Sequence, residues 1–100
     1  MIKILRKWLA EYIGTATLVC VVVGSGIMGT NLSKDSGVAL LINAFSTIFA
    51  LALLILIIAP ISGAHFNPAV SLVQVLRREM NAVEFLSFIS AQIAGAISGA

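Results

Sequence analysis

The chain has 100 residues, of which 60% are hydrophobic and 10% charged, six basic and four acidic. A water-soluble domain carries about a quarter charged residues, so these amino acids cannot furnish a water-facing surface. That excludes an ordinary soluble domain, and it deprives the formal charge of +2 of any nucleic-acid meaning, because in such a chain basic residues report membrane orientation.

The charges fall in three groups: Lys3, Arg6, Lys7 and Glu11; Lys34 and Asp35; and Arg77, Arg78, Glu79 and Glu84. Between them lie tracts long enough to cross a hydrocarbon core, which takes roughly 20 helical residues. A first span is expected over about 8–29. Trp8 and Tyr12 open it at the depth amphipathic rings prefer. Gly24, Gly26 and Gly29 are expected to loosen its end. The basic start resembles a secretory signal, but the apolar run contains Glu11 and exceeds the roughly 7–15 residues of a signal core. A retained span is the better reading. Cys20 lies inside it, a lone cysteine with no internal partner.

A second span is expected over about 38–59, closed by Pro60 and Gly63. The uncharged tract continues from Ser36 to Leu76, about twice what one crossing needs, yet it is interrupted from Pro60 to Pro68. The stretch after Pro68 makes only about 15 Å of helix, half the core. A half-length apolar helix beside irregular backbone reads as a re-entrant segment over about 60–77. Such backbone survives at membrane depth only where protein buries it or where it lines a wet cavity. A third span begins near Phe85, after a turn from Asn81 to Glu84, and is still apolar at Ala100. It has too few residues to cross, and the chain reads as incomplete. Ala91, Gly95 and Gly99 give that span a close-packing face. With a cytoplasmic N-terminus, all basic residues except Lys34 lie inside, in accord with the positive-inside rule.

The chemistry concentrates at Asn67-Pro68-Ala69. Proline fixes its own φ, lacks an N–H and suits the first position of a helix. It also pushes Asn67 into the extended conformation of an N-cap. The Asn67 side-chain oxygen can then accept from amides near Ala69 and Val70, leaving its NH2 aimed away from the helix. The helix end adds roughly half a positive charge at the same place. The carbonyls before it, from Gly63 to Phe66, lack helical partners and offer a line of acceptors. Val70 and Leu72 supply no charge. Acceptors, donors and a positive field that disfavours cations suit the passage of small neutral molecules. Asn-Pro alone also caps ordinary buried helices. Its setting within an uncharged tract, after two spans, favours the channel reading.

Ser62-Gly63-Ala64-His65-Phe66-Asn67-Pro68-Ala69-Val70 resembles the first signature loop of the aquaporin family, the major intrinsic proteins. Ala10-Glu11-Tyr12-Ile13-Gly14-Thr15 resembles that family's first-helix motif, and Ala91-Gln92 its third. With Pro60, the pattern is most similar to bacterial members, including a group linked to metalloid passage. The resemblance implies an all-α membrane fold, with three transmembrane helices and one re-entrant half-helix as the first of two inverted repeats in a right-handed bundle. It implies that residues 1–100 are that first repeat, and that the missing second half supplies a second Asn-Pro-Ala and a filter arginine. It assigns Asn67, Pro68, Ala69 and Val70, with the carbonyls of Gly63, Ala64 and His65, to the pore lining. Glu11 and Gln92 become braces of the pore loop. Thr47 takes the filter position on the second helix, where a small side chain permits glycerol or metalloid hydroxides beside water. The implied partners are the lipid bilayer and small neutral permeants, and the complete assembly is a homotetramer in the plasma membrane. No enzyme activity, cofactor or metal is expected.

Two rival readings stand beside it. A proton-coupled small multidrug antiporter has a similar chain length and an essential glutamate in its first helix, where Glu11 sits; but a fourth span is lacking. A non-conducting truncated membrane element is the other.

Overall fold

The computed structural model describes residues 2–100, which form four helices: α1 (Ile2–Leu32), α2 (Ser36–Ser62), α3 (Pro68–Leu76) and α4 (Ala82–Gly99). There is no strand among the described residues. The helices α1, α2 and α4 are each long and apolar enough to cross a membrane. α3, with nine residues, is about 14 Å long and is not. Few side chains are buried within the chain, and large aliphatic and aromatic groups such as Leu40, Ile48, Phe49 and Leu56 face outward. In water that surface would be untenable; in hydrocarbon it carries no penalty, since lipid is as apolar as leucine.

α1 begins at Ile2, before the expected Trp8, because Lys3, Arg6 and Lys7 are good helix formers and continue the helix past the apolar tract. At its other end the three glycines do not loosen the helix, which runs to Leu32. Gly29 instead lets α1 approach α2: a Cβ there would stand 2.8 Å from the Ala39 carbonyl oxygen. Ser25 Oγ, one turn earlier, donates to Asn43 Oδ1 at 2.8 Å.

Asp35 caps α2 by accepting from the amides of Gly37 and Val38. Pro60 does not close this helix. It sits inside, and two further residues follow before Gly63 ends the helix at φ 94°, a left-handed conformation that glycine adopts freely. The aliphatic run from Leu53 to Ile58 has two faces: Leu54 and Ile58 are buried, the others exposed.

α4 starts earlier than the sequence suggests. Asn81 Oδ1 accepts from the amide of Glu84 at 2.8 Å, and Asn81 Nδ2 donates to Glu84 Oε1 at 3.2 Å. This reciprocal cap turns the expected Asn81–Glu84 turn into the first turn of an 18-residue helix. α4 packs alongside α1 through small residues. A Cβ on Gly95 would lie 2.6 Å from the Tyr12 carbonyl oxygen, and one on Gly99 would clash with the Ala16 carbonyl. Trp8 Nε1 donates to Ser90 Oγ at 2.8 Å and Tyr12 OH to Ser98 Oγ at 2.7 Å, which sets the two helices in parallel register.

These contacts define the path of the chain. α2 runs antiparallel to α1, so its end, Ser62, comes down beside Glu11. α4 begins beside Lys7, with Lys7 Nζ 3.6 Å from Glu84 Oε2. The loop and α3 between them therefore return to the end of the bundle where α1 starts, and the half-helix re-enters instead of crossing.

Candidate functional site

The centre of the site is a carboxyl group with no exposure at all. Glu11 Oε2 accepts from Ser62 Oγ at 2.6 Å and from the His65 amide at 3.3 Å. Its Oε1 accepts from the Phe66 amide at 2.9 Å and from Gln92 Nε2 at 3.1 Å. Gln92 Nε2 also donates to Ser71 Oγ at 3.1 Å, and Ser71 Oγ lies 2.9 Å from His65 Nδ1. One acidic side chain of α1 thus ties together the end of α2, the loop, α3 and α4. Buried polar groups are tolerable only when partnered, and here four donors converge on two oxygens. Thr15 Oγ1 and Gln92 Oε1, at the edge of the cluster, are buried without a partner.

The backbone of the loop needs that grip. Ala64 and Phe66 both lie at φ 54°, the left-handed region that costs a non-glycine residue about 1–2 kcal/mol. The hydrogen bonds to Glu11 and the burial of Phe66 offset it. The Phe66 ring occupies the space where a Cβ of Gly14 would be, so only glycine at position 14 admits it. Ala10, Leu54 and Ile58 complete the apolar seat of that ring.

A planar trans peptide points its N–H and C=O in opposite directions, and no cis bond occurs among the described residues. The amide of Ala64 points to Ser62 Oγ, and those of His65 and Phe66 point to Glu11. The carbonyls of Gly63, Ala64 and His65 must therefore point away from the buried cluster, and none of them accepts a hydrogen bond from a described residue. Gly63, Asn67, Pro68, Ala69 and Val70 are exposed, while Ser62, Phe66 and Ser71 are buried.

Asn67 takes the N-cap position of α3 with φ −153° and ψ 129°, and Pro68 is the first helical residue. Its Oδ1 accepts from the Ala69 amide at 2.7 Å, which leaves Nδ2 with no described partner. Thr47 is half-buried on α2 and its hydroxyl donates to the Asn43 carbonyl one turn back, at 2.8 Å. It makes no hydrogen bond to the loop.

Sequence reasoning did not single out Ser71 or the Gly14–Phe66 contact. Ser71 has one local signal, the lone hydroxyl in a half-helix whose only other polar side chain is Gln74. The Gly14–Phe66 contact has none, since its members are far apart in the chain.

The sequence profile described as Major intrinsic protein matches residues 1–100. The chain is 47% identical over 94 residues to an aquaglyceroporin of Rhizobium meliloti (strain 1021), a match covering 94% of this chain and 40% of that protein. It is 34% identical to the glycerol uptake facilitator protein-like 6 of Lactiplantibacillus plantarum over 93% of this chain and 40% of that one. It is 32% identical to aquaporin A of Dictyostelium discoideum over 99% of this chain and 36% of that one. The chain therefore spans about two fifths of the length of these curated relatives. With its three membrane-length helices and a loop bearing Asn67-Pro68-Ala69, the chain is a multi-pass membrane protein and belongs to the major intrinsic protein family.

Proposed function

We propose that this chain is the first half of a passive channel for water and small uncharged solutes, and that a second repeat completes the pore. The observation that carries this reading is the two-sidedness of the loop: amides turned inward to Glu11, carbonyls and the Asn67 amide turned outward. A hydroxylic molecule moving along the outward side meets acceptors at Gly63, Ala64 and His65, then the donors of Asn67. Pro68 and Ala69 begin the half-helix whose positive end stands at the same point. Val70 adds an apolar wall. A row of neutral donors and acceptors replaces the hydration of an uncharged solute without trapping it, and the helix end repels cations.

Glu11 and Gln92 act as braces in this reading. A transport role for Glu11 in proton-coupled exchange is not favoured, because all its exposure is gone and both oxygens are occupied by loop and helix donors. Thr47 takes the filter position, and its small side chain leaves room for glycerol or a metalloid hydroxide beside water. The relatives named as an aquaglyceroporin and a glycerol uptake facilitator support that width. The N-terminus lies on the cytoplasmic side of the plasma membrane, where Lys3, Arg6, Lys7, Arg77 and Arg78 satisfy the positive-inside rule. The complete protein assembles as a homotetramer and performs no enzymatic step.

The test is stopped-flow permeability of the full-length protein in liposomes. Asn67→Asp exchanges the donors for a negative charge, and flux per folded protein should fall at least tenfold. Unchanged flux would remove Asn67 from the path.

A further inference from the structure

At the N-terminal end of the bundle, α1 and α4 diverge around a cavity of about 330 Å³, lined among others by Lys3, Ile4, Lys7, Val83, Glu84 and Ser87. That volume falls within the roughly 300–1,000 Å³ of small-molecule pockets. No residue of the loop or of α3 lines it. Its depth is set by its neighbours. Trp8 and Tyr12, further along α1, stack on each other with ring centroids 5.4 Å apart and hydrogen-bond to α4. Lys3 and Lys7 stand in the first turns of α1, before the uncharged part of the span, where basic side chains reach headgroup level.

The charges at the cavity do not cancel. Two lysines face one glutamate, which leaves a single positive charge. Lys7 Nζ stands 3.6 Å from Glu84 Oε2, whereas Lys3 has no ion pair among the described residues. Ser87 Oγ likewise makes no hydrogen bond to a described residue, while Ile4 and Val83 present exposed aliphatic surface. Glu84 is already engaged on both oxygens, by Lys7 and by Asn81 Nδ2 at 3.2 Å.

We propose that this cavity is a binding site for an anionic phospholipid, its phosphodiester held by Lys3, Lys7 and Ser87 and its acyl chains lying along Ile4 and Val83. A phosphodiester carries the single negative charge that the cavity lacks. Phosphatidylglycerol keeps that charge, whereas the ammonium of phosphatidylethanolamine cancels it. Basic pockets between membrane helices at the cytoplasmic surface are suited to such headgroups. The site stands whichever solute the channel passes.

The experiment is native mass spectrometry of the full-length protein released from micelles holding equal amounts of phosphatidylglycerol and phosphatidylethanolamine. Preferential retention of phosphatidylglycerol is expected. Lys3→Gln and Lys7→Gln should each reduce it about fivefold, the factor expected for one basic residue near an anionic lipid surface. Lys34→Gln, at the opposite end of α1, should leave it unchanged, and Lys3→Arg should preserve it. Thermal melting of each variant in detergent shows that the fold is intact. Equal retention of the two lipids, or an equal loss in Lys34→Gln, would overturn the proposal. Displacement of the lipid by millimolar inorganic phosphate would mark a free-anion site and overturn it too.

Discussion

The loop from Gly63 to Asn67 has two faces built from the same few residues, and they are opposite in character. The inner face is closed: the amides of His65 and Phe66 and the side chains of Ser62 and Gln92 all end on Glu11, which has no exposure. The outer face is open: three carbonyls and the Asn67 amide have no partner among the described residues. The difference teaches why a strained, irregular backbone is placed at membrane depth at all. Hydrogen-bonding capacity in hydrocarbon is costly unless something uses it. In the proposed channel, the inner face commits its groups to structure so that the outer face can keep its own available for a solute.

The largest effect should come from breaking the inner face. Glu11→Ala leaves the Phe66 and His65 amides, Ser62 and Gln92 without their acceptor, at about 1–3 kcal/mol for each buried group. The full-length protein should lose most of its folded yield in membranes, measured by size-exclusion chromatography in mild detergent. A normal yield with normal melting would mean that the Glu11 cluster does not hold the loop.

Gly14→Val attacks the same face through packing. The new side chain must displace the Phe66 ring, and overpacking of this kind costs about 1–3 kcal/mol. A lowered melting temperature is expected; an unchanged one would show that the ring has somewhere else to go.

At Thr47 on α2, the proposed filter position, stability should hold and transport should change. Thr47→Phe narrows the filter position, and glycerol flux in swelling assays should fall several-fold while water flux falls less. Equal glycerol flux in both proteins would sink the wide-filter reading. The smallest effect is expected at Thr15, whose buried hydroxyl has no partner. Thr15→Val exchanges it for a methyl group of similar shape, a change that is nearly neutral or stabilising where no hydrogen bond is lost. A loss of more than about 1 kcal/mol in unfolding measurements would reveal a hydrogen bond at Thr15.

Much of the outer face is legible in the sequence because its rules are local. Pro68 at the first helical position, Asn67 as cap and Ala69 as the capped amide are fixed by residues next to one another, and the structure places them so. The inner face is legible only in part. Glu11 and Gln92 enter through a motif resemblance, whereas Ser71 and the seat of Phe66 depend on contacts between helices that leave no local pattern. The helix ends depart from their sequence expectation for a related reason. Gly29 and Pro60 carry local breaking signals, yet α1 stays helical where Gly29 closes on Ala39 and α2 continues past Pro60 to Ser62. At Asn81 the sequence is ambiguous because asparagine serves turns and caps equally well, and Glu84 decides between them.

The division of labour between the two faces is tested most directly by stopped-flow flux normalised to folded protein, compared for Asn67→Asp and Glu11→Gln. The glutamine keeps one acceptor oxygen but turns an NH2 toward the loop amides, so its cost falls on folding. Asn67→Asp should fold at normal yield and conduct at least tenfold less, while Glu11→Gln should fold poorly and the surviving protein conduct within a few-fold of normal. Normal conduction by folded Asn67→Asp, together with abolished conduction by well-folded Glu11→Gln, would contradict that division of labour.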